Sequence, residues 1–461
     1  MHFIGSSPAS TDWAGLVRRI LGEFERRLGI SIEISDKPHA LRATFANALH
    51  MAATKTRVVL ILDGLNQLED RDGALDLIWL PPVLPEAVRL LVSTLPGRAL
   101  DELNKRRWPT LEIAPLTVGE RRRLITDYLK QYTKDLSPGF AEQIATTTAT
   151  ANPLYLRALL EELRLWGEQE TLERAGTDYL AAATPEALYE KILWRWERDY
   201  EQDRAGLVRD TMSLLWAARR GLSEIELLEL LGTNGQALPQ AYWSPLHLAA
   251  EQSLVSRSGL LGFFHNYLRQ AVEQKYLPHQ LGQRTAHLHL ANYFQSREVE
   301  SRQVDELPWQ LVKATEWRRL GQLLSKLPFF AAAWNNNQFE IKAYWAQVEA
   351  NSPLRVVEAY RRVSEDPMRY LEHAWRVEYL LADTGHSDDA LKIGEQLIWF
   401  SKSEGTPKNL ADSLDTQGLN LQARGDLAAA LGRHQQAEAA YRKIGDKRGI
   451  AHALTNQAGI L

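Results

Sequence analysis

Residues 411–421 (ADSLDTQGLNL) and 451–461 (AHALTNQAGIL) fall into register forty positions apart, matching at Ala411/Ala451, Leu414/Leu454, Gln417/Gln457 and Leu421/Leu461. Gly385-HSDDAL and Gly425-DLAAAL keep the same offset. Ala and Leu at three- and four-residue spacing, with a glycine closing each helix, define a repeating helical pair. Such a pair cannot bury its apolar face alone, so residues 369–461 are expected to stack as an α-solenoid. The last helix, from about Ala451, would then present Ala453, Leu454, Ile460 and Leu461 to a following helix, and the array is expected to continue past Leu461.

The beginning of the chain obeys a different rule. Residues 1–4, 57–63 (RVVLILD), 88–94 (VRLLVST) and 111–113 (LEI) are short apolar runs without polar alternation. Strands covered on both faces of a parallel sheet have this pattern. About fifty residues of helical periodicity separate the first two runs, including a helix over 13–28 entered through the capping residues Ser10, Thr11 and Asp12. Strand, helix, strand predicts crossover units and a parallel sheet within residues 1–115.

From Thr117 the periodicity is helical. Thr117 and Glu120 have the spacing of a capping box and open an amphipathic helix through Tyr132. Breaks at Ser137-Pro-Gly, Thr184-Pro, Gly221, Asn234-Gly, Leu277-Pro, Leu307-Pro, Leu327-Pro, Ser352-Pro and Asp366-Pro cut the remaining chain into helices of ordinary length. A helix over 207–218, a second from Ser223, a third over 240–252 and the paired runs 254–257 and 260–264 predict a winged helix within 205–276. Residues 116–204 read as a helical lid and 277–368 as a helical arm. The expected fold is mainly α, with a partial α/β sheet at the N-terminus, a winged helix, a helical arm and the solenoid.

Charge and composition narrow the function. Lys+Arg 54 against Asp+Glu 58 leaves a formal charge of −4, without the basic excess of a nucleic-acid or anionic-membrane binder. The third helix of the winged-helix segment has no Lys or Arg to position phosphates, so no DNA partner is expected. Apolar runs such as 58–62 fall far short of the ~20 residues of a membrane span, so no membrane partner is expected either. With no cysteine, disulfides, thiol nucleophiles and Cys-metal sites are excluded. The N-terminus lacks a charged-then-apolar leader, and a cytoplasmic location is expected.

Asp63 is the sharpest chemical candidate, because a carboxylate at the C-terminal end of a parallel strand sits where open α/β sheets place ligands. The plain alternative is a turn-forming Asp-Gly. A phosphate-cradling G-x-x-x-x-G-K-[ST] sequence is absent, and no Gly-Lys pair occurs. His279, His287 and His289 form the densest histidine group, but the last two point to different helix faces and predict no metal site. The fourteen tryptophans, Trp194 and Trp196 or Trp334 and Trp345 among them, read as helix-packing anchors.

Taken in order, these segments resemble the STAND class of P-loop NTPases, in the NACHT-like branch of the nephrocystin and telomerase-associated-protein type, followed by tetratricopeptide-type repeats longer than the usual 34-residue unit. The carriers are His2-FIGSSPASTD, Val58-VLILDGLNQLED, Leu90-LVSTLPGR, Ala151-NPLYLRALLEEL, Gly262-FFHNYLRQAV, and then Leu290-ANYFQ, Glu306-LPWQLVKATEW and Ala343-YWAQVE. The resemblance implies a P-loop NTPase-like sheet binding ATP or ADP with magnesium. It places Asp63 on the magnesium ion, Thr94 or Arg98 on the terminal phosphate, Pro153 on adenine and His265 on the diphosphate of a closed ADP state; the plain alternatives are a helix-starting Pro153, a solvated loop charge at Arg98 and a His265 buried between Phe264 and Tyr267. It also implies a switch that senses a protein partner through the repeats and forms homo-oligomers.

Two departures stand against it. Asn66 and Gln67 occupy positions where the branch commonly carries acids, and amides orient a water without taking its proton. The first strand and P-loop, which the class places just before the equivalent of His2, are not in the sequence. The chain is therefore expected to bind no nucleotide and to be inactive as an ATPase by itself, as a fragment, the product of an internal start or a degenerate member, with its N-terminal domain the least stable part. The rival reading is a non-enzymatic repeat scaffold for protein–protein interaction.

Overall fold

A computed structural model describes residues 2–4, 11–30, 32, 38–70, 73–165, 169–404 and 406–461. These residues are mainly helical. They divide into two compact units, residues 1–205, 220–226 and 240–271, and residues 206–219, 227–239 and 272–461.

In the first unit β1 (His2–Phe3), β2 (Val58–Asp63) and β3 (Val88–Val92) form a parallel sheet in that order, with Val58 opposite Val88 and Phe3 opposite Asp63. Helix α1 (Trp13–Leu28) starts at Asp12, whose carboxylate accepts from the Ala14 and Gly15 N–H groups. It ends at Gly29 in the left-handed conformation that glycine adopts without steric cost. Of the other two capping candidates, Ser10 lies outside the described residues, as does most of the segment around it. With α2 (Pro38–Lys55) and α3 (Arg98–Lys105), α1 buries Leu16, Phe45 and Leu103 against Val58, Leu62 and Val88.

That arrangement covers one face of the sheet. Val59 and Leu91, on the other face, are 65% and 63% exposed, which corrects the expectation of strands buried on both sides. The fourth expected strand, 111–113, does not form: Leu111 and Ile113 are each 89% exposed and the segment pairs with no strand among the described residues. An extended run becomes a strand only when a neighbour takes up its N–H and C=O groups.

The helical part of this unit comprises α4 (Val118–Lys130), α5 (Pro138–Thr146), α6 (Pro153–Arg164), α7 (Gln169–Leu180) and α8 (Pro185–Tyr200). The capping box at α4 is complete, with Thr117 N–H donating to Glu120 at 2.8 Å and Glu120 N–H to Thr117 Oγ1 at 3.3 Å. Inside, Arg195 pairs with the buried Glu162, which also accepts from Tyr179 Oη at 2.9 Å. Trp196 is buried as a packing anchor should be, but Trp194 is 61% exposed, which corrects its reading as one.

Residues 205–276 are shared between the units. Their elements follow the expected order: α9 (Leu207–Ala217), α10 (Glu224–Leu231), α11 (Gln240–Ala250), the antiparallel hairpin β4 (Leu254–Arg257) and β5 (Leu260–Phe263), then α12 (Asn266–Tyr276). Gly221, at φ +96°, lets the chain pass close against Leu261; a Cβ there would meet the Leu261 carbonyl oxygen at 2.3 Å.

The second unit continues with α13 (Gln280–Gln295), α14 (Ser301–Lys313), α15 (Trp317–Leu324), α16 (Leu327–Asn351), α17 (Val356–Ala359) and α18 (Arg361–Glu365). Helix α16 is interrupted at Asn337, whose backbone is extended. Buried Arg219 binds Glu340 and Asp305, and Glu306 accepts from the Arg219 N–H. His287 is buried and donates to Gln310 at 2.8 Å, which in turn donates to the Ala217 carbonyl at 2.9 Å.

The solenoid is α19 (Leu371–Asp383), α20 (Ser387–Ser403), α21 (Pro407–Ala423), α22 (Leu427–Ile444) and α23 (Lys447–Ala458), each packed on the next. Gly385 and Gly425 both take positive φ between helices, at +87° and +83°, as the forty-residue register requires. Leu454 and Leu461 are exposed, but Ala453 is buried with Ala411, Leu414 and Tyr441. That one member of the expected open face therefore faces inward, toward α21 and α22.

Candidate functional site

The candidate residues gather in two places. At the first, β2 ends in Asp63 and Gly64 turns the chain at φ +79°. The neighbouring strand supplies Ser93, whose hydroxyl donates to Asp63 Oδ1 and accepts from the Gly64 N–H at 2.9 Å. Asn66 reaches across to accept from the Leu95 N–H at 3.2 Å. Asp63 is exposed, and its second carboxylate oxygen keeps no partner among the described residues. This exposed oxygen beside a hydroxyl suits a hard cation such as magnesium.

Thr94 donates instead to the carbonyl of Leu95 at 3.1 Å, so Ser93 is the hydroxyl that meets Asp63. Arg98 begins α3 and is held by two carboxylates, Asp70 and, at 3.0 Å, Asp76. A guanidinium already neutralised in this way fits poorly as a reader of phosphate charge.

The second place is built on α6 and the segment after β5. Asn152 caps α6, accepting from the Leu154 N–H at 2.9 Å, and Pro153 fills the first helical position, where its missing N–H costs nothing. Pro153 itself is exposed. The Asn152 amide donates to Tyr267 Oη at 3.1 Å, which brings Pro153 and His265 into one neighbourhood. His265 stands among Tyr189, Phe264 and Tyr267, with ring centroids 5.1, 5.9 and 5.7 Å away. Its Nε2 shares a 2.8 Å hydrogen bond with Tyr189, while Nδ1 is buried without a partner among the described residues.

Burial, and then the nearby Arg157 charge, push the His265 imidazole down to about 4. It is therefore neutral at pH 7 and can act as a hydrogen-bonding group rather than as a cation. The orphaned nitrogen fits a buried polar contact with a bound molecule. No hydrogen bond or ring contact among the described residues joins the Asp63 group to the His265 group.

Ser93 and Tyr189 escaped the sequence reading, since each acts on a residue distant in sequence, whereas Phe264 and Tyr267 were legible as the aromatic neighbours of His265. Asn152 could have been found, because an N-cap residue type directly before proline is a helix-start signal.

No family model matches the chain. A TPR repeat-containing protein of Dictyostelium discoideum is 30% identical over 410 residues, 80% of this chain and 24% of its own length. The NACHT and WD repeat domain-containing protein 2 of Mus musculus is 24% identical over 322 residues, covering 64% of this chain and 18% of that protein. The chain is similar to TPR-repeat and NACHT proteins. It spans about a quarter or less of the length of these two curated relatives. Among solved structures, a Signal Transduction ATPase with Numerous Domains (STAND) protein with a tetratricopeptide repeat sensor, from Pyrococcus horikoshii, aligns over 97% of this chain and 71% of its own, with a TM-score of 0.46 and 14% identity. No described helix is long and apolar enough to cross a membrane.

Proposed function

We propose that this chain is part of an ATP/ADP-gated signalling switch of the STAND type, in which the helical repeats of residues 369–461 contact a protein partner. The observation that carries the reading is the stack α19 to α23, whose forty-residue register and paired helices make an extended binding surface. The similarity to TPR-repeat and NACHT proteins supports an interaction role for it.

In this reading the five divisions read from the sequence are the working parts, with residues 205–276 as the winged helix. Asp63, oriented by Ser93, holds the magnesium ion, and His265, held by Tyr189, contacts the diphosphate. Bound nucleotide supplies a phosphate chain whose length the protein can read, and the homo-oligomer forms when the ADP contact is lost. No G-x-x-x-x-G-K-[ST] sequence occurs in residues 1–461.

A second reading, the non-enzymatic scaffold, is favoured by one observation: Arg98 is spent on Asp70 and Asp76. Calorimetry separates the two. We expect no saturable micromolar ATP or ADP binding to residues 1–461. The natural full-length gene product should bind ADP, and Asp63→Asn should weaken its binding in the presence of magnesium. A full-length product that binds neither nucleotide leaves the scaffold standing.

A further inference from the structure

The second unit holds an open cleft of ≈ 690 Å³ between α15, the start of α16 and the short helices α17 and α18. Apart from Tyr370, its lining lies outside residues 369–461, and it lies outside both groups of candidate residues. Its apolar lining is Leu327, Pro328, Leu354 and Val363, with Trp345 behind them, 1% exposed. Three arginines line it, Arg355, Arg361 and Arg362, against a single carboxylate, Glu358.

The charges are poorly matched within the protein. Arg362 is exposed and makes no ion pair among the described residues. Arg355 is fixed by backbone alone: its Nη1 donates to the carbonyls of Glu349, Ser352 and Leu354 at 3.2, 2.8 and 2.8 Å. The guanidinium is thus positioned while its other N–H groups stay available. Arg361 meets Glu358 at 3.1 Å and Glu365 at 3.8 Å, both pairs well exposed and easily displaced. Two of three guanidinium groups therefore lack a carboxylate partner among the described residues, beside an apolar wall of a size that suits a ligand.

We infer that this cleft binds an acidic peptide segment of a protein partner, with carboxylates on Arg355 and Arg362 and an apolar side chain against Leu354 and Pro328. Guanidinium groups recognise carboxylates through paired N–H donors, and a mixed acidic and apolar sequence matches both halves of the lining.

The test is fluorescence anisotropy of the whole chain with a labelled peptide of repeated Asp-Glu-Leu. Saturable binding is expected, at least tenfold weaker in Arg362→Glu and weaker with added salt. Arg122→Ser, at an exposed pair with Glu142 in the first unit, should leave it unchanged. Because the Arg362 side chain makes no ion pair among the described residues, its substitution should leave the fold intact, which circular dichroism checks. The proposal is overturned if the peptide does not bind, if Arg362→Glu binds as the parent does, if repeated Lys-Arg-Leu binds equally, or if inorganic phosphate or phosphatidylserine vesicles bind at Arg362 and the peptide does not.

Discussion

Gly418 and Gly432 are both glycines inside solenoid helices, and replacing each by alanine should have opposite effects. Around Gly432 an added Cβ meets nothing within 4 Å, so the substitution brings only the helix-propensity gain, ~1 kcal/mol. At Gly418 the same atom would lie 2.5–2.7 Å from the imidazole of His434. That ring is fully buried and donates to Asp415 at 2.6 Å, so it cannot swing aside without losing the bond. Overpacking of this kind costs roughly 1–3 kcal/mol, and breaking a buried hydrogen bond to a charged group adds ~1.5–3. Set against the propensity gain, Gly418→Ala should destabilise α21 and α22 by about 1.5–5 kcal/mol while Gly432→Ala stabilises them by ~1. Hydrogen exchange of residues 407–444 reads both, and the pair Gly418→Ala with His434→Ala should show coupling above ~1 kcal/mol. A Gly418→Ala variant as protected as Gly432→Ala would refute the packing argument.

The preceding repeat exchanges the partners: Gly394 lies against Glu378, whose two carboxylate oxygens are buried without partners among the described residues. Burial raises the Glu378 carboxyl well above its ordinary 4.5, so its contribution to stability is fullest below pH 4.5 and is lost as pH rises toward the folded value. Glu378→Gln should therefore stabilise the repeats by roughly 1–3 kcal/mol at pH 7, with the gain vanishing in acid, as denaturation at both pH values would show. For His265 the sign is reversed. Its stabilisation is complete above about 6.5 and lost as pH falls toward 4, so His265→Phe should flatten the acid limb of the first unit's thermal stability. In the second unit Arg219→Ala should cost about 3–5 kcal/mol by stranding Glu340 and Asp305, and urea unfolding measures it.

Local signals were legible wherever neighbouring residues decide the structure. Asp12 before α1, Thr117 with Glu120 at α4, Gly385 and Gly425 in the solenoid and the 254–263 hairpin all stand where the residue types require. Contacts between distant segments were not legible. The run 111–113 has strand character in its residues, yet strand formation depends on a neighbour that it does not have among the described residues. The Asp63 site was half visible for the same reason: its carboxylate ends an apolar run, but Ser93 reaches it from thirty positions away. Tyr189 reaches His265 from seventy-six positions away.

The central claim is that the repeats carry the partner contact, and cross-linking mass spectrometry of the natural protein in its cell tests it most directly. Lys402, Lys408, Lys443 and Lys447 are exposed on the repeats, and Lys55, Lys105 and Lys130 are exposed in the first unit. The account predicts that cross-links to other proteins concentrate on the first four. Cross-links to other proteins that fall only on lysines outside residues 369–461 would contradict it.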